Sequence, residues 1–525
     1  MSRTTRRGLV AAGHGITAQA AADVLSEGGN AFDAVIAALW TACAAEPVLA
    51  SPGGGGFLLA RPAGGSMCFY DFFVQTPRAR REEQEFYPID VDFGVARQTF
   101  HVGRGAIAVP GFVRGIFDVH RDHATLPMTL LVQPAVEAAR SGVELTDYQA
   151  YLLDVVRPIF SIAQDVQEVF ACEAEGASFG DALLARRLKG AGERYCNGAL
   201  ANTLEALARG GDGLFYEGEL ANEIERLCRD GGGHLTCEDL AAYRVIKRAP
   251  LERRYRSATL FFNPPPSSGG VLIAFSLELL SRHDLADLGF GTSAYVQLLA
   301  EVMAATNRAR SEVEAGGVLR GEHVLGADLI ERYAREVAPE PASRRGTTHV
   351  SVIDARGNAA AATVSNGEGC GHMVPGTGFM LNNVLGEADL NPAGLGVWTP
   401  GRRIASMMAP TAARWDDGTV AILGSGGSNR IRTAILQVLS CLIDFSMAPR
   451  EAVDAPRLHV EGDHIDFEAL LPPETEAFLE KTFPDHTVWP DRNMFFGGAH
   501  TAMRRADGEL VGAGDARRAG VSVEV

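Results

Sequence analysis

The residues best suited to chemistry lie in the segment Gly346-Thr347-Thr348-His349-Val350-Ser351-Val352-Ile353-Asp354. A small residue precedes a threonine pair, and an alternating strand follows at once. Asp354-Ala355-Arg356-Gly357-Asn358 then supplies turn residues, and Ala359 to Val364 reads as the returning strand of a β-hairpin. A hydroxyl on the first residue of a strand becomes a nucleophile with its own base if the bond before it is cut. The freed α-amine has an ordinary pKa of roughly 7.7–8.0, so it can accept the hydroxyl proton near neutral pH. Taken alone, a Thr-Thr pair is ordinary β-branched strand filler, and other segments must decide between the two.

One such segment is Gly424-Ser425-Gly426-Gly427-Ser428-Asn429-Arg430, which follows the apolar strand Val420-Ala421-Ile422-Leu423. Consecutive small residues can aim backbone N–H groups into one concavity suited to an oxyanion, or can simply make a tight turn. Other motifs weaken on inspection. Gly53 to Gly56 lacks the Lys-Ser/Thr of a phosphate loop and leads into a strand rather than a helix. Gly176-Ala177-Ser178-Phe179-Gly180 has the spacing of a serine-hydrolase elbow, yet Cys172-Glu173-Ala174-Glu175 before it is no apolar strand, so a surface turn is expected. The thirteen histidines include no H-x-x-x-H pair, so neither a catalytic metal nor another cofactor is expected.

The elements that must hold these residues are legible in outline. Thr17 to Leu25 has helical character and ends at Gly28-Gly29; Asn30 can cap a second, Ala-rich helix running to about Ala45. Pro47 and Pro52 break the pattern before the strand that follows the glycines. Helical periodicity dominates roughly 128 to 230, and Pro264 to Gly270 is a sharp break ahead of an apolar helix near 271–282. Pro339-Glu340-Pro341-Ala342-Ser343-Arg344-Arg345-Gly346 is a polar, helix-breaking linker of the kind in which chains are cut.

At 525 residues, with 46% hydrophobic residues, the chain can bury a large core. Its net charge of −17 argues against nucleic acid and anionic membrane surfaces as partners. No apolar stretch of signal-peptide length follows Arg3, Arg6 and Arg7, and the eight cysteines are scattered without a paired C-x-x-C. A cytoplasmic protein with reduced thiols is the expectation.

Taken together, the chain resembles the γ-glutamyltransferase family of N-terminal-nucleophile hydrolases nearly end to end. The resemblance rests on Glu46-Pro47 through Gly53–Phe57, Val109-Pro110-Gly111, Gly213 to Gly218 and Leu235 to Leu240. It continues through Pro264 to Gly270, Thr347-Thr348-His349, Leu381-Asn382-Asn383 and Gly424 to Arg430. It implies a four-layer αββα sandwich, made as one precursor that cuts itself between Gly346 and Thr347. The products would be a large subunit, 1–346, and a small one, 347–525, which stay associated. It also implies roles: Thr347 as nucleophile, Ser365 as the hydroxyl that orients it, and Gly426, Gly427 and Ser428 as oxyanion donors. The acyl-enzyme would pass its acyl group to water or to an amine.

The resemblance fails where the family reads its glutamyl group. Its arginine, in an Asp-Phe-Arg-Glu segment, is replaced here by Phe73 in Asp71-Phe72-Phe73-Val74, with Arg78, Arg80 and Arg81 nearby as a possible shifted replacement. An aromatic ring cannot substitute for an arginine–carboxylate fork. The family's acid after the Asn pair corresponds to Glu387 downstream of Asn383, and its paired serines to Ser406-Met407. Asn366-Gly367-Glu368 replaces a Thr/Asn-rich stretch and adds a carboxylate near the pocket. A small-molecule substrate other than glutathione is therefore expected. An ordinary glutathione hydrolase, or a relative hydrolysing a C–C bond beside a carbonyl in an alkylproline-type pathway, stand as the alternatives.

Overall fold

The computed structural model describes residues 7–92, 97–172, 187–315, 325, 333, 346–391 and 394–525. The Gly176–Gly180 turn and linker residues 339–345 lie outside them.

Two antiparallel sheets lie face to face. The first contains β1 (Gly8–Ala12), β2 (Gly55–Arg61), β3 (Cys68–Phe72), β4 (Ile246–Arg248), β7 (Thr348–Asp354), β8 (Ala359–Ser365) and β13 (Val521–Glu524), in the order β13-β1-β7-β8-β2-β3-β4. The second contains β5 (Leu251–Tyr255), β6 (Ala258–Phe262), β9 (Thr411–Trp415), β10 (Val420–Gly426), β11 (Gly498–Arg504) and β12 (Leu510–Ala513), in the order β12-β11-β10-β9-β6-β5. Helices α1 (Gly15–Ser26), α2 (Ala31–Ala45) and α3 (Phe112–His123) cover the outer face of the first sheet. Helices α4 (Ser268–Leu280), α5 (Ser293–Ala315) and α6 (Arg430–Ile443) cover the second. This is the four-layer αββα arrangement of N-terminal-nucleophile hydrolases.

Residue alternation explains the layering. In β8, Ala359 and Ala361 join Leu9, Leu59 and Ile353 against Phe261, Ala412, Ile422 and Ala502 between the sheets, whereas Ala360, Ala362 and Val364 face the helices. Small residues on both faces let two strongly hydrogen-bonded layers approach closely. On the helix side, α2 is buried at every position, and its alanines bring it close against the strands. Asn30 caps it as expected, accepting from Phe32 N and Asp33 N while Asp33 reaches back to the Asn30 N–H. The expected hairpin is β7 and β8, joined by Ala355–Asn358 and pinned by Asp354, whose carboxylate accepts from Asn358 N at 2.9 Å. The helical region after residue 128 is divided into short helices, including Gln133–Ser141, Asp147–Val155, Gly198–Gly210 and Glu219–Gly231. Among the described residues, no helix is long and apolar enough to cross a membrane, and no group of three or more His, Cys, Asp or Glu could hold a metal ion.

Candidate active site

β7 is hydrogen-bonded between β1 and β8, and Thr348 pairs with Val364. That register brings Thr347, just before β7, and Ser365, the last residue of β8, to the same end of the first sheet. Strand alternation puts His349, Ser351 and Ile353 on the face toward the second sheet, and Thr348, Val350 and Val352 toward the helices.

The Gly346–Thr347 junction is intact and nearly enclosed, with Thr347 5% exposed. Two hydroxyls converge on one oxygen: Thr347 Oγ1 donates to Gly346 O at 2.7 Å, and Ser365 Oγ donates to it at 2.8 Å. Ser365 thus bonds the carbonyl next to Thr347 rather than the Thr347 hydroxyl expected from sequence. Its own oxygen accepts from Gly367 N at 3.1 Å, which fixes the direction of its proton. Glu368 holds the other end of the same residue, accepting from Gly346 N at 3.1 Å.

The glycine turn lies directly behind Thr347. Gly426 ends β10, and a Cβ placed on it would sit 2.1 Å from Thr347 O. Only glycine permits that approach. Gly427 (φ +119°) and Ser428 (φ +52°) then turn the chain through the left-handed region into α6. Ser428 is among the few non-glycine residues with positive φ, which marks a conformation held by its surroundings. Arg518, 4% exposed, reaches the same place and donates to Thr347 O at 3.4 Å.

A second polar layer supports the strand. Thr348 Oγ1 donates to Glu46 Oε2 at 2.7 Å, and Thr17 Oγ1 donates to Glu46 Oε1 at 2.8 Å. Glu46 is the C-cap of α2, so its carboxylate ties the helix end and α1 to the residue after Thr347. His349 is fully enclosed, bonding Thr363 Oγ1 at 2.7 Å and Ser351 Oγ at 2.9 Å. Burial holds its pKa well below the ordinary value, with His500 adding to the effect, so it is a neutral packing group and not a base for Thr347. Neither Glu46 nor Arg518 was assigned a role from sequence; each belongs to the site only through folding.

Beside Thr347 and Ser365 lies a small cavity of about 30 Å³ whose walls include Phe73, Val384, Glu387, Leu390, Ser406, Met407, Ser428 and Ile431. Five residues singled out for their types are therefore gathered here: Phe73, Glu387, Ser406, Met407 and Ser428. Phe73 is buried and stacked on Phe57, with ring centroids 5.7 Å apart. The nearby arginines are engaged elsewhere: Arg80 lies over the Trp398 ring and bonds Gly396 O, Arg81 bonds Arg229 O, and Arg78 lies near Glu238. Arg403 touches the Phe73 backbone, not the cavity, donating to Phe73 O and pairing with Asp71 at 3.4 Å. No shifted arginine takes the place vacated at Phe73. Asn383 stands one layer back, its Oδ1 accepting from Glu368 N at 3.0 Å. Asn366 is buried in the same turn, and Glu368 faces a separate, larger cavity.

Residues 17–525 match the γ-glutamyltranspeptidase family. The chain is 30% identical over 544 residues to a glutathione hydrolase proenzyme of Escherichia coli (strain K12), covering 98% of this chain and 90% of that protein. It is 31% identical over 551 residues to an acylase ACY 1 proenzyme of Pseudomonas sp. (strain V22), covering 99% and 94%. A crystal structure of cephalosporin acylase from Bacillus halodurans has the same fold, with TM-score 0.83 over 99% of this chain and 96% of that one at 24% identity. A match across nearly the whole chain, joined to a strand-end threonine and serine on an αββα sandwich, makes this protein a member of the γ-glutamyltranspeptidase family of N-terminal-nucleophile hydrolases and acyltransferases.

Proposed function

We propose that the chain cuts itself between Gly346 and Thr347 and then uses Thr347 as the nucleophile of an amide hydrolase or acyltransferase whose acyl group is not γ-glutamyl. In the first stage Thr347 Oγ1 adds to the Gly346 carbonyl carbon. Ser365 donates to the oxygen as it gains charge, and the C–N bond breaks as the proton passes to the Thr347 nitrogen. The resulting ester on Oγ1 is hydrolysed by water, leaving chains 1–346 and 347–525 and a free α-amine. In turnover that amine takes the hydroxyl proton as Oγ1 attacks the substrate carbonyl. Backbone N–H groups at Gly427 and Ser428 receive the oxyanion, with Gly426 giving the room. The amine half of the substrate leaves, and water or another amine takes the acyl group.

The observation that carries this reading is the convergence of the Thr347 and Ser365 hydroxyls on Gly346 O, at 2.7 and 2.8 Å. The change of substrate is supported by the small cavity, where Phe73 and Glu387 stand and the described walls include no cation. A glutamyl α-carboxylate there would lose a bidentate partner and meet a like charge. A neutral or amine-bearing acyl group suits these walls, and the similarity to an acylase as well as to a glutathione hydrolase fits an amide substrate of this kind. The test is a denaturing gel of the wild-type and Thr347→Ala chains, with hydrolysis of γ-glutamyl, neutral acyl and aminoacyl anilides. Two bands and preference for the non-glutamyl anilides are expected, with one band and no turnover for Thr347→Ala. Cleavage of that variant would sink the nucleophile, and efficient γ-glutamyl hydrolysis would sink the substrate.

A further inference from the structure

A second cavity, of about 420 Å³, reaches the same junction from another side, with Gly346 and Glu368 in its wall. Tyr148, Trp489 and Phe495 give it aromatic surfaces; Trp489 and Phe495 are stacked with centroids 4.9 Å apart. Four arginines also line it, but they differ in how they are neutralised.

Arg517 is fully engaged, with Glu468 through Nε at 2.6 Å and with Asp515 at 3.4 Å. Arg430 lies over the Phe495 ring at 4.9 Å, and Arg492 bonds Asp454 O on the exposed side. Arg518 is different. It is 4% exposed, it bonds only the carbonyls of Thr347 and Met494 at 3.4 and 3.3 Å, and its Nε has no acceptor. Among the described residues no carboxylate pairs with it. The Tyr148 hydroxyl, in the same wall, also lacks a hydrogen-bond partner. A buried guanidinium without a counter-ion is costly unless an anion completes it. Its planar fork suits a carboxylate, and a phenol can add a third donor. The two cavities at the junction therefore differ in polarity: Glu387 and no described cation on the Phe73 side, and an uncompensated arginine on this one.

We infer that the larger cavity is the subsite for the amine half of the reaction, whether leaving group or acceptor, and that it takes an amine carrying a carboxylate and an aromatic or apolar body. The carboxylate sits between Arg518 and Tyr148, and the body lies on Trp489 and Phe495. This rests on the acyl-transfer reading above for the words leaving group and acceptor, but the anion site itself can be tested without turnover.

Calorimetric titration of the full wild-type protein with 3-phenylpropionate and with 3-phenylpropanamide reads the site directly. The carboxylate should bind at least tenfold more tightly than the amide, and less so as salt is raised. Arg518→Gln should bring the two ligands to parity, and Tyr148→Phe should weaken the carboxylate severalfold while leaving the amide unchanged. Equal binding of both ligands by the wild type overturns the inference. So does an unchanged preference in Arg518→Gln or, if that variant does not fold, in Tyr148→Phe. Running the titration beside the gel separates the two readings. Carboxylate preference in a protein cut despite Thr347→Ala removes only the nucleophile, whereas cutting that depends on Thr347 with no carboxylate preference removes only this subsite.

Discussion

Replacing Gly426 by alanine tests the approach of the glycine turn to the nucleophile. The added Cβ would lie 2.1 Å from Thr347 O, where ordinary contact begins near 3.4 Å, so the two must separate by about 1.3 Å. Arg518 Nη1, at 3.0 Å from the same Cβ, is the end of a flexible side chain and can yield; the carbonyl belongs to backbone and cannot do so alone. Thr347 is anchored from behind by the Thr348–Glu46 bond, and Gly426 is paired with Gly498 in the second sheet. Overpacking of this kind costs about 1–3 kcal/mol. The larger effect is on chemistry, because moving a reacting group by about 1 Å costs on the order of 10²-fold in rate. We expect Gly426→Ala to fold with a melting temperature a few degrees lower, and to be cut about a hundredfold more slowly in a time course on denaturing gels. A variant cut at the wild-type rate, with an unchanged melting temperature, would refute the argument that this contact positions Thr347.

Ser365→Ala removes one of the two donors to Gly346 O and should slow self-cleavage by on the order of 10²-fold, the usual loss for an oxyanion donor; the same gel time course reads it. Thr348→Val keeps the shape but leaves the buried Glu46 carboxylate with one hydroxyl donor fewer, which should cost about 1–3 kcal/mol in chemical denaturation. Acid should destabilise the protein through His500, which burial, with Arg518 and Arg457, pushes down to about 4 despite Asp515. Because the folded value lies below the ordinary 6.5, this contribution is complete above pH 6.5 and is lost as pH falls toward 4. The loss amounts to about 3 kcal/mol at roughly 1.36 kcal/mol per pH unit. His500→Asn should flatten that part of the stability profile, as measured by denaturant titration at each pH.

What could be read from the sequence was local. Asn30 with Asp33, the Asp354–Asn358 turn and the alternation from Val350 to Ile353 declare a capped helix and a hairpin, because each is settled by neighbours within four residues. Thr347, Ser365 and the Gly426–Ser428 turn were legible through spacing joined to family resemblance. Phe73 and Glu387 were uncertain in register, since only the pairing of β2 with β3 decides which side of the strand end faces the cavity. Glu46 and Arg518 carried no sequence signal as site residues. Glu46 lies 302 residues from Thr348, and Arg518 lies 171 from Thr347, so neither relation has a periodicity to betray it. Ser365 was assigned to the correct place but bonds a different atom, a distinction that rests on where one hydroxyl proton points.

The strand order of the first sheet has a further consequence. β7 lies between β1 and β8, and β8 lies against β2, so segments from before and after Gly346 alternate within one hydrogen-bonded layer, with β13 closing the edge on β1. An uncut chain finds these neighbours by closing loops, whose entropy grows only slowly with length. Two separate chains must instead meet, so unfolding of a cut protein becomes concentration-dependent while that of the uncut precursor does not. Cutting at Gly346 would thus convert a structure that can regain its fold alone into one whose persistence depends on never coming apart, and its lifetime would then be set by an unfolding rate rather than by an equilibrium.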